Sequence, residues 1–321
     1  MKIVITFMQL LLLSCSLSSS ATQPLEPPDL SEIIALPEDA GASYLAYGWD
    51  GNLVWFDQNL AEIRRKHYDY AIPGEIIVFN KGLLIKSELK KNSEHSLYQL
   101  SYLSFSGKVL HEWRDLPDSI WSINAQQTPL SYFGFSDEQF QLDDNNQFVS
   151  TGILYGNNTT IMPILDGNVD DSIICSGMIL SMQDYKLGSC HRTGSKAWIT
   201  DEGYWNESPK LCGDYLVENN YHRPSNVRKN RKLIIRDINT GTVVSEIIRT
   251  EHPFVNDFKC DNNRLITIGE AVNIYSLPNN KPVAVKYCEG GKKAIDIAVN
   301  KEQMVCLNRD GEVHHLVDSK K

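Results

Sequence analysis

The chain has 321 residues, a formal net charge of −9 at pH 7 and a hydrophobic content of 42%. This length and content allow one large domain with a sizeable core. The acidic balance disfavours nucleic-acid binding, because that function needs a basic surface to meet the phosphates.

The N-terminus has the pattern of a secretory signal peptide over residues 1–21. Its apolar run, Ile3–Leu13, is too short to span a bilayer. Two processing outcomes remain open: cleavage before Cys15, which would become a lipid-bearing residue, or ordinary cleavage after Ala21. Both outcomes predict an exported protein, either periplasmic or secreted, that contacts a membrane only through a lipid anchor.

Residues 22–30 contain three prolines and are predicted to be a tether, followed by a single domain over residues 31–321. The first two units of this domain are predicted to begin at Ser43 and Glu75. In the first unit, Asp50-Gly51 lies between two apolar runs, as is typical of a β-hairpin. These short alternating runs predict strands rather than helices.

The middle of the chain, residues 119–231, is degenerate, and no blade boundaries are predicted there. Turn clusters rich in Asp, Asn and Gly still separate short apolar runs. The strands predicted in this region are Phe148–Leu154, Thr160–Leu165, Ile173–Ser176, Ala197–Thr200 and Tyr215–Glu218.

One unit is repeated about two and a half times over residues 233–317. Ile235, Ile274 and Val313 recur at a spacing of 39 residues. A fixed period near 40 with short strands inside it indicates a β-propeller. Dividing the domain by this period predicts an all-β ring of about seven four-stranded blades.

The last repeat lacks a fourth strand, and Ser31–Leu36 forms a lone short strand near the start of the domain. We predict that Ser31–Leu36 pairs with residues 312–317 and closes the ring. Closure would remove two open strand edges, which are aggregation hazards.

Two hairpins resemble a known repeat. Residues 102–113 (Tyr-Leu-Ser-Phe-Ser-Gly-Lys-Val-Leu-His-Glu-Trp) and 234–244 (Ile-Ile-Arg-Asp-Ile-Asn-Thr-Gly-Thr-Val-Val) resemble the repeat of quinoprotein-like propellers. The second hairpin also resembles the last two strands of a WD40 blade. The resemblance is to a superfamily, and implies the propeller fold. In that superfamily, exported lipoproteins that scaffold outer-membrane assembly are the nearest functional analogue, since they too combine a signal, a tether and a propeller.

Six of the seven cysteines follow the signal segment. An even number in an exported chain favours disulfides, whereas the alternative is buried free thiols. A Cys175–Cys190 bridge would close a short loop, a Cys212–Cys260 bridge would join neighbouring blades, and Cys288 and Cys306 would then remain as a third pair. No two cysteines are adjacent, unlike the vicinal pair beside the cofactor of quinoprotein dehydrogenases, so the resemblance does not imply a bound quinone.

One basic cluster stands out in the acidic chain, and it has two interpretations: a solvated rim loop, or a contact for an anionic partner or a membrane surface. Its members are Arg223, Arg228, Lys229, Arg231 and Lys232. The sequence contains no spacing typical of a metal site and no nucleophile motif, so we predict neither a metal nor a cofactor.

Two functional hypotheses follow. The first is a non-enzymatic, monomeric binding or scaffolding module whose rim loops hold a protein partner. The second is an enzyme or small-ligand binder that uses the central channel. Asp257 and Asp296, which recur at equivalent repeat positions, would supply its acids.

Overall fold

The fold is all-β in the computed structural model, which describes most of the chain from residue 29 onward. The described residues are 29–72, 76–89, 97–114, 116–117, 120–124, 129–134, 138–153, 160–169, 172–179, 184–191, 196–199, 205–221, 231–249, 258–269, 271–301 and 303–318.

The first four blades follow the chain in order, and each has four strands. The first contains β1 (Glu32–Ala35), β2 (Tyr44–Tyr47), β3 (Asn52–Phe56) and β4 (Glu62–His67). The second contains β5 (Ile76–Phe79), β6 (Gly82–Leu89), β7 (Leu97–Ser104) and β8 (Val109–Trp113). The third contains β9 (Ile120–Asn124), β10 (Ser131–Gly134), β11 (Glu138–Leu142) and β12 (Phe148–Ile153). The fourth contains β13 (Thr160–Val169), β14 (Ser172–Ile179), β15 (Asp184–His191) and β16 (Lys196–Ile199).

The remaining blades complete the ring, and two short 3-10 helices, Glu38–Ala40 and Glu289–Gly291, lie in connections. The fifth contains β17 (Trp205–Cys212), β18 (Tyr215–Tyr221), β19 (Arg231–Asp237) and β20 (Val243–Arg249). The sixth contains β21 (Phe258–Asp261), β22 (Arg264–Thr267), β23 (Val272–Ser276) and β24 (Pro282–Cys288). The seventh contains β25 (Ala294–Asn300), β26 (Gln303–Asn308) and β27 (Val313–Val317).

Within each blade, consecutive strands pair antiparallel in chain order. The first strands of neighbouring blades contact one another, as β9 does with β13, β13 with β17, β17 with β21 and β25 with β1. The first strands therefore surround the axis of the ring, and the fourth strands lie at its outer edge. This arrangement is a β-propeller, as the period of the sequence predicts.

The core consists of apolar layers between neighbouring blades, because each inner strand buries both of its faces. In β2, Leu45 and Tyr47 pack against the second blade, whereas Tyr44 and Ala46 pack against the seventh. Alternate residues of a strand point to opposite faces, so this strand reads as a continuous apolar run. Similar layers join the second blade to the third, the fifth to the sixth and the sixth to the seventh.

The 39-residue repeat corresponds to the blade. Ile235, Ile274 and Val313 lie in the third strands of three successive blades, in β19, β23 and β27. Leu265 and Met304 lie in the second strands of the last two. The repeat therefore identifies strand positions correctly along the last part of the chain.

The predicted pairing of Ser31–Leu36 with residues 312–317 is wrong. β1 pairs with β2, with Glu32 opposite Tyr47 and Ala35 opposite Tyr44, so β1 is the first strand of the first blade. The hairpin to β2 is local, and it gives β1 a full antiparallel partner without a long-range pairing. The N-terminal strand still closes the ring, because it packs beside β25 of the last blade.

The last blade has three strands in the described residues, and a neighbour covers part of its outer edge. Tyr287 and Cys288, at the end of β24, pair with Val317 and Leu316 of β27. The 3-10 helix Glu289–Gly291 follows and contacts β27. The end of the sixth blade thus provides part of the pairing that a fourth strand would give to β27.

Several hairpins between third and fourth strands share an aspartate cap. Asp57, Asp143 and Asp237 each accept, through Oδ1, the backbone N–H of the residue two positions later. Backbone hydrogen bonds, foremost from Gln147 and Thr240 respectively, lower the pKa of Asp143 and Asp237. These three aspartates are therefore structural caps of their turns, and one of them, Asp143, lies in a turn predicted from the sequence.

Gly107 joins the first two blades at the turn between β7 and β8. Its carbonyl oxygen accepts hydrogen bonds from Lys66 Nζ and from the hydroxyl of Tyr68, each at 2.5 Å. Its φ of +79° favours glycine, and a Cβ at this position would lie 2.9 Å from Cη2 of Trp55.

Gly107→Ala should therefore lower the free energy of unfolding by about 2–4 kcal/mol, since positive φ and overpacking each contribute about 1–2 kcal/mol. Gly290→Ala is the matched control, because Gly290 has a φ of +78° and a Cβ added there would have no atom within 4 Å. Thermal unfolding of the two variants should show the larger loss for Gly107→Ala. Equal losses would contradict the close packing against Trp55.

Candidate functional site: the seam between the first and last blades

The seam between the first and seventh blades is held by a buried carboxylate. The backbone N–H of Ile33 in β1 donates to Oδ2 of Asp296 in β25 at 2.8 Å. Lys259 of β21 approaches Oδ1 of the same carboxylate, with Nζ at 3.1 Å. Asp296 is only 2% exposed, so one acid connects the sixth, seventh and first blades on the axial side of the ring.

An apolar layer backs this contact. Ile33, Tyr44 and Val54 of the first blade pack with Val305 and Leu307 of the last blade. All five side chains are buried, with exposures of 1% or less. The two ends of the domain are therefore joined both by a charged contact and by a continuous core.

A polar cleft of about 800 Å³ opens at one rim of this seam. Three turns form its walls: residues 36–43 between β1 and β2, residues 57–59 between β3 and β4, and the turn at Asn300, Lys301 and Gln303 between β25 and β26. All three turns lie at the same end of their blades, because they follow either a first or a third strand. The cleft therefore exists only when the ring is closed.

The ionisable groups of the cleft are already engaged. Glu38 forms an ion pair with Lys301 across the seam, and both side chains are more than 70% exposed. Asp57 accepts the backbone N–H groups of Asn59 and Ala61 at 2.8 and 2.9 Å. The ion pair cancels, so the formal charge that remains among the lining residues is the single negative charge of Asp57.

The remaining polar side chains of the cleft are the hydroxyl of Ser43 and four amides. In the part of the chain that the structure describes, the side-chain amides of Gln58, Asn59, Asn300 and Gln303 make no hydrogen bond. Each offers both a donor and an acceptor. The cleft can therefore form hydrogen bonds with a ligand that carries both kinds of group.

Two of the three cysteine pairs lie at disulfide distance. Cys212 of β17 and Cys260 of β21 link the fifth and sixth blades, with Cα atoms 4.9 Å apart. Cys288 of β24 and Cys306 of β26 link the sixth and seventh blades, with Cα atoms 6.0 Å apart. The disulfides therefore join three consecutive blades, ending at the seam.

The third candidate pair lies in adjacent strands of the fourth blade. Cys175 is in β14, opposite Gly188, and Cys190 is in β15, opposite Ile173. The side chains of both cysteines lie outside the described residues, so a Cys175–Cys190 disulfide stays a prediction.

Two members of the basic cluster lie in the described residues, both in β19. Lys232 of β19 pairs with Glu246 of β20, with Nζ and Oε2 2.7 Å apart. Arg231 begins β19, and Arg223, Arg228 and Lys229 lie outside the described residues. β19 is a third strand, so it begins at the end of its blade opposite the cleft.

The second functional hypothesis predicted that Asp257 and Asp296 supply acids in the central channel, and the structure describes one of the two. Asp296 lies near the axis as that hypothesis requires, but its carboxylate is bound to Ile33 and Lys259. Asp257 lies outside the described residues. The other strongly buried acid among the described residues, Glu218, pairs with Arg236 inside the fifth blade. These buried acids hold blades and strands together.

Neither a metal cluster nor a membrane-spanning helix is found in the described residues. No group of three or more His, Cys, Asp or Glu side chains there is placed to hold a metal ion. No helix in that part of the chain is both long and apolar enough to cross a membrane.

The sequence did not predict the seam cleft. Its residues come from the two ends of the domain, and only the predicted ring closure indicated that those ends would meet. Each wall is an ordinary polar turn, so no local pattern distinguishes it from the other turns of the ring.

Comparison with known proteins supports the fold. No protein-family model matches the chain, and no curated protein matches it. Among solved structures, the chain is similar to BamB from Moraxella catarrhalis, with a TM-score of 0.51 and 10% sequence identity. The similarity covers 89% of this chain and 82% of that chain. At this identity the similarity shows the β-propeller fold alone.

Proposed function

We propose that the protein is an exported, non-enzymatic scaffold that holds a protein partner at one rim of its propeller. The observation that carries the proposal is the polar cleft at the seam, which is concave and walled by three turns. Its amide side chains suit binding, and its two acids, Glu38 and Asp57, are already engaged. A group with these partners is poorly placed to transfer protons to a substrate.

The rigidity of the ring supports a scaffolding role. Two disulfides join three blades, and the Asp296 contact joins the last of them to the first. A surface that is fixed before binding loses less conformational entropy when a partner docks. The cleft lies between the seventh and first blades, the last two of the blades that these contacts join.

Export is part of the proposal. Residues 1–21 would act as the signal, with Cys15 as the lipidated residue of a lipoprotein form or Ala21 as the last residue removed from a soluble form. Disulfides are typical of oxidising compartments, which supports an exported location. In the lipoprotein form, residues 22–30 would tether the propeller at a short distance from the membrane. In the soluble form, the propeller would have no membrane attachment.

The basic cluster would provide a second contact area for an anionic surface of a partner. The channel-enzyme hypothesis has less support, because Asp296 already binds Ile33 and Lys259. We therefore place the partner at the rim rather than in the channel.

Affinity capture tests the proposed function. The tagged protein would be purified from its own envelope or secretion fraction after mild amine crosslinking, and compared with an unrelated exported protein that carries the same tag. We expect one protein to co-purify at a constant ratio over independent preparations. Recovery of the chain alone, or only of proteins shared with the control, would contradict a scaffolding role.

A further inference from the structure

We propose that the seam cleft binds an extended peptide segment of the partner and recognises the backbone of that segment. This inference rests on the proposed function and specifies the kind of ligand that the cleft takes. An extended backbone carries alternating N–H donors and C=O acceptors, which are strong and obligatory hydrogen-bonding groups. The cleft offers the complementary groups.

The side-chain amides of the cleft are suited to pairing with a peptide backbone. Gln58, Asn59, Asn300 and Gln303 line the cleft from both sides of the seam, and within the described residues none of these side chains is engaged. A carboxamide has the same donor and acceptor groups as a peptide unit, so it can pair with N–H and C=O together. Amides on two facing walls can therefore bind successive peptide units of a strand laid between them.

Charge and size limit the occupant. Lys301 is paired with Glu38, and Asp57 caps its own turn, so within the described residues the cleft has no unpaired cation for a strongly acidic segment. The volume of about 800 Å³ lies inside the range of about 300–1,000 Å³ found for small-ligand pockets. The cleft therefore accepts only a few residues, in a segment without a strong negative charge.

Binding in this cleft would also stabilise the closed ring. The walls belong to the first and last blades, and a ligand that bridges them binds only the closed form. A ligand with this preference shifts the equilibrium toward closure. Bound peptide should therefore raise the melting temperature of the protein.

The test uses a phage library of random linear heptapeptides selected on the purified full-length protein. The cleft variant carries Gln58→Ala, Asn59→Ala and Gln303→Ala. The matched control carries Asn279→Ala and Asn280→Ala, two exposed amides in the turn between β23 and β24 at the same rim. Neither variant removes a side-chain hydrogen bond of the described residues, so both should fold, and circular dichroism checks this.

We expect enriched peptides to bind the wild type and the control equally, and the cleft variant at least roughly tenfold more weakly, since several hydrogen bonds are lost. N-methylation at alternate backbone positions should abolish binding, whereas most single alanine substitutions in the peptide should change affinity only a few-fold.

Three results would overturn the proposal: no enriched peptide, equal binding to the cleft variant, or tolerance of backbone methylation at every position. Binding of an oligosaccharide from a glycan array in a cleft-dependent way, with no peptide bound, would also overturn it. A partner captured from the native fraction whose binding does not require the cleft would leave the scaffolding function standing and remove only this inference.

Discussion

Asp296→Ala should lower the free energy of unfolding by about 3–5 kcal/mol, the usual effect of removing one partner from a buried ion pair. The variant leaves the N–H of Ile33 without its carboxylate acceptor and leaves Lys259 beside an apolar methyl group. In a domain of this size, 1 kcal/mol corresponds to about 2 °C, so the melting temperature should fall by roughly 6–10 °C.

Two further variants show whether the effect belongs to the seam. Asp310→Ala removes an ion pair with Lys292 in which both side chains are at least half exposed, so solvent screens it and the melting temperature should change little. Asp296→Asn keeps an acceptor for Ile33 but removes the charge facing Lys259, so its loss should be intermediate. A melting temperature for Asp296→Ala no lower than that of Asp310→Ala would refute the role of this carboxylate in closure.

Removal of the disulfide between the fifth and sixth blades should have the second large effect. Cys212 and Cys260 are separated by 48 positions, and a loop of that length corresponds to about 4 kcal/mol in the chain-entropy treatment. Cys288 and Cys306 are separated by 18 positions, which corresponds to about 3 kcal/mol. The double variant Cys212→Ser with Cys260→Ser should therefore melt lower than Cys288→Ser with Cys306→Ser.

Thiol titration gives an independent check of the same disulfides. In protein taken from its native compartment and denatured without reductant, at most two of the six cysteines from Cys175 onward should react. Prior reduction should expose all six and lower the melting temperature of the wild type by more than that of a variant lacking both bridges. Six reactive thiols without reduction would contradict the cross-linked ring.

The repeat made much of the fold predictable. Ile235, Ile274 and Val313 occupy the same position in the third strands of their blades, and each packs into an apolar layer between blades. Because that position is packed in each of these three blades, it requires an apolar residue each time, and the 39-residue spacing results. Turn signals such as Asp50-Gly51 also fall between real strands, β2 and β3. Where each strand buries both faces, its apolar run is strong enough to be detected.

The degenerate middle shows where this signal fails. Five strands there, β9, β10, β11, β15 and β17, were not predicted. β15 has the sequence Asp-Tyr-Lys-Leu-Gly-Ser-Cys-His, and β17 contains Asn206, Pro209 and Lys210. Their polar residues, Gly and Pro are unfavourable in strands, so pairing with neighbours must outweigh local preference.

The closure error has a different cause. The repeat indicated a last blade of three strands, as the described residues have it, but it could not indicate that β24 and the following 3-10 helix would cover part of its outer edge. The short connection between β1 and β2 made a local hairpin the simpler pairing. Asp296 and the cleft depend on contacts between residues more than 200 positions apart, and such contacts leave no local pattern.

The most direct measurement of the central claim is site-specific photo-crosslinking in the native compartment. A benzophenone amino acid would replace Gln58 in the cleft or, as the control, Asn280, an exposed turn residue of the sixth blade at the same rim. We predict a single adduct of defined mass from the Gln58 position and none from the Asn280 position. The absence of an adduct at Gln58, or equal adducts from both positions, would contradict a partner site at the seam.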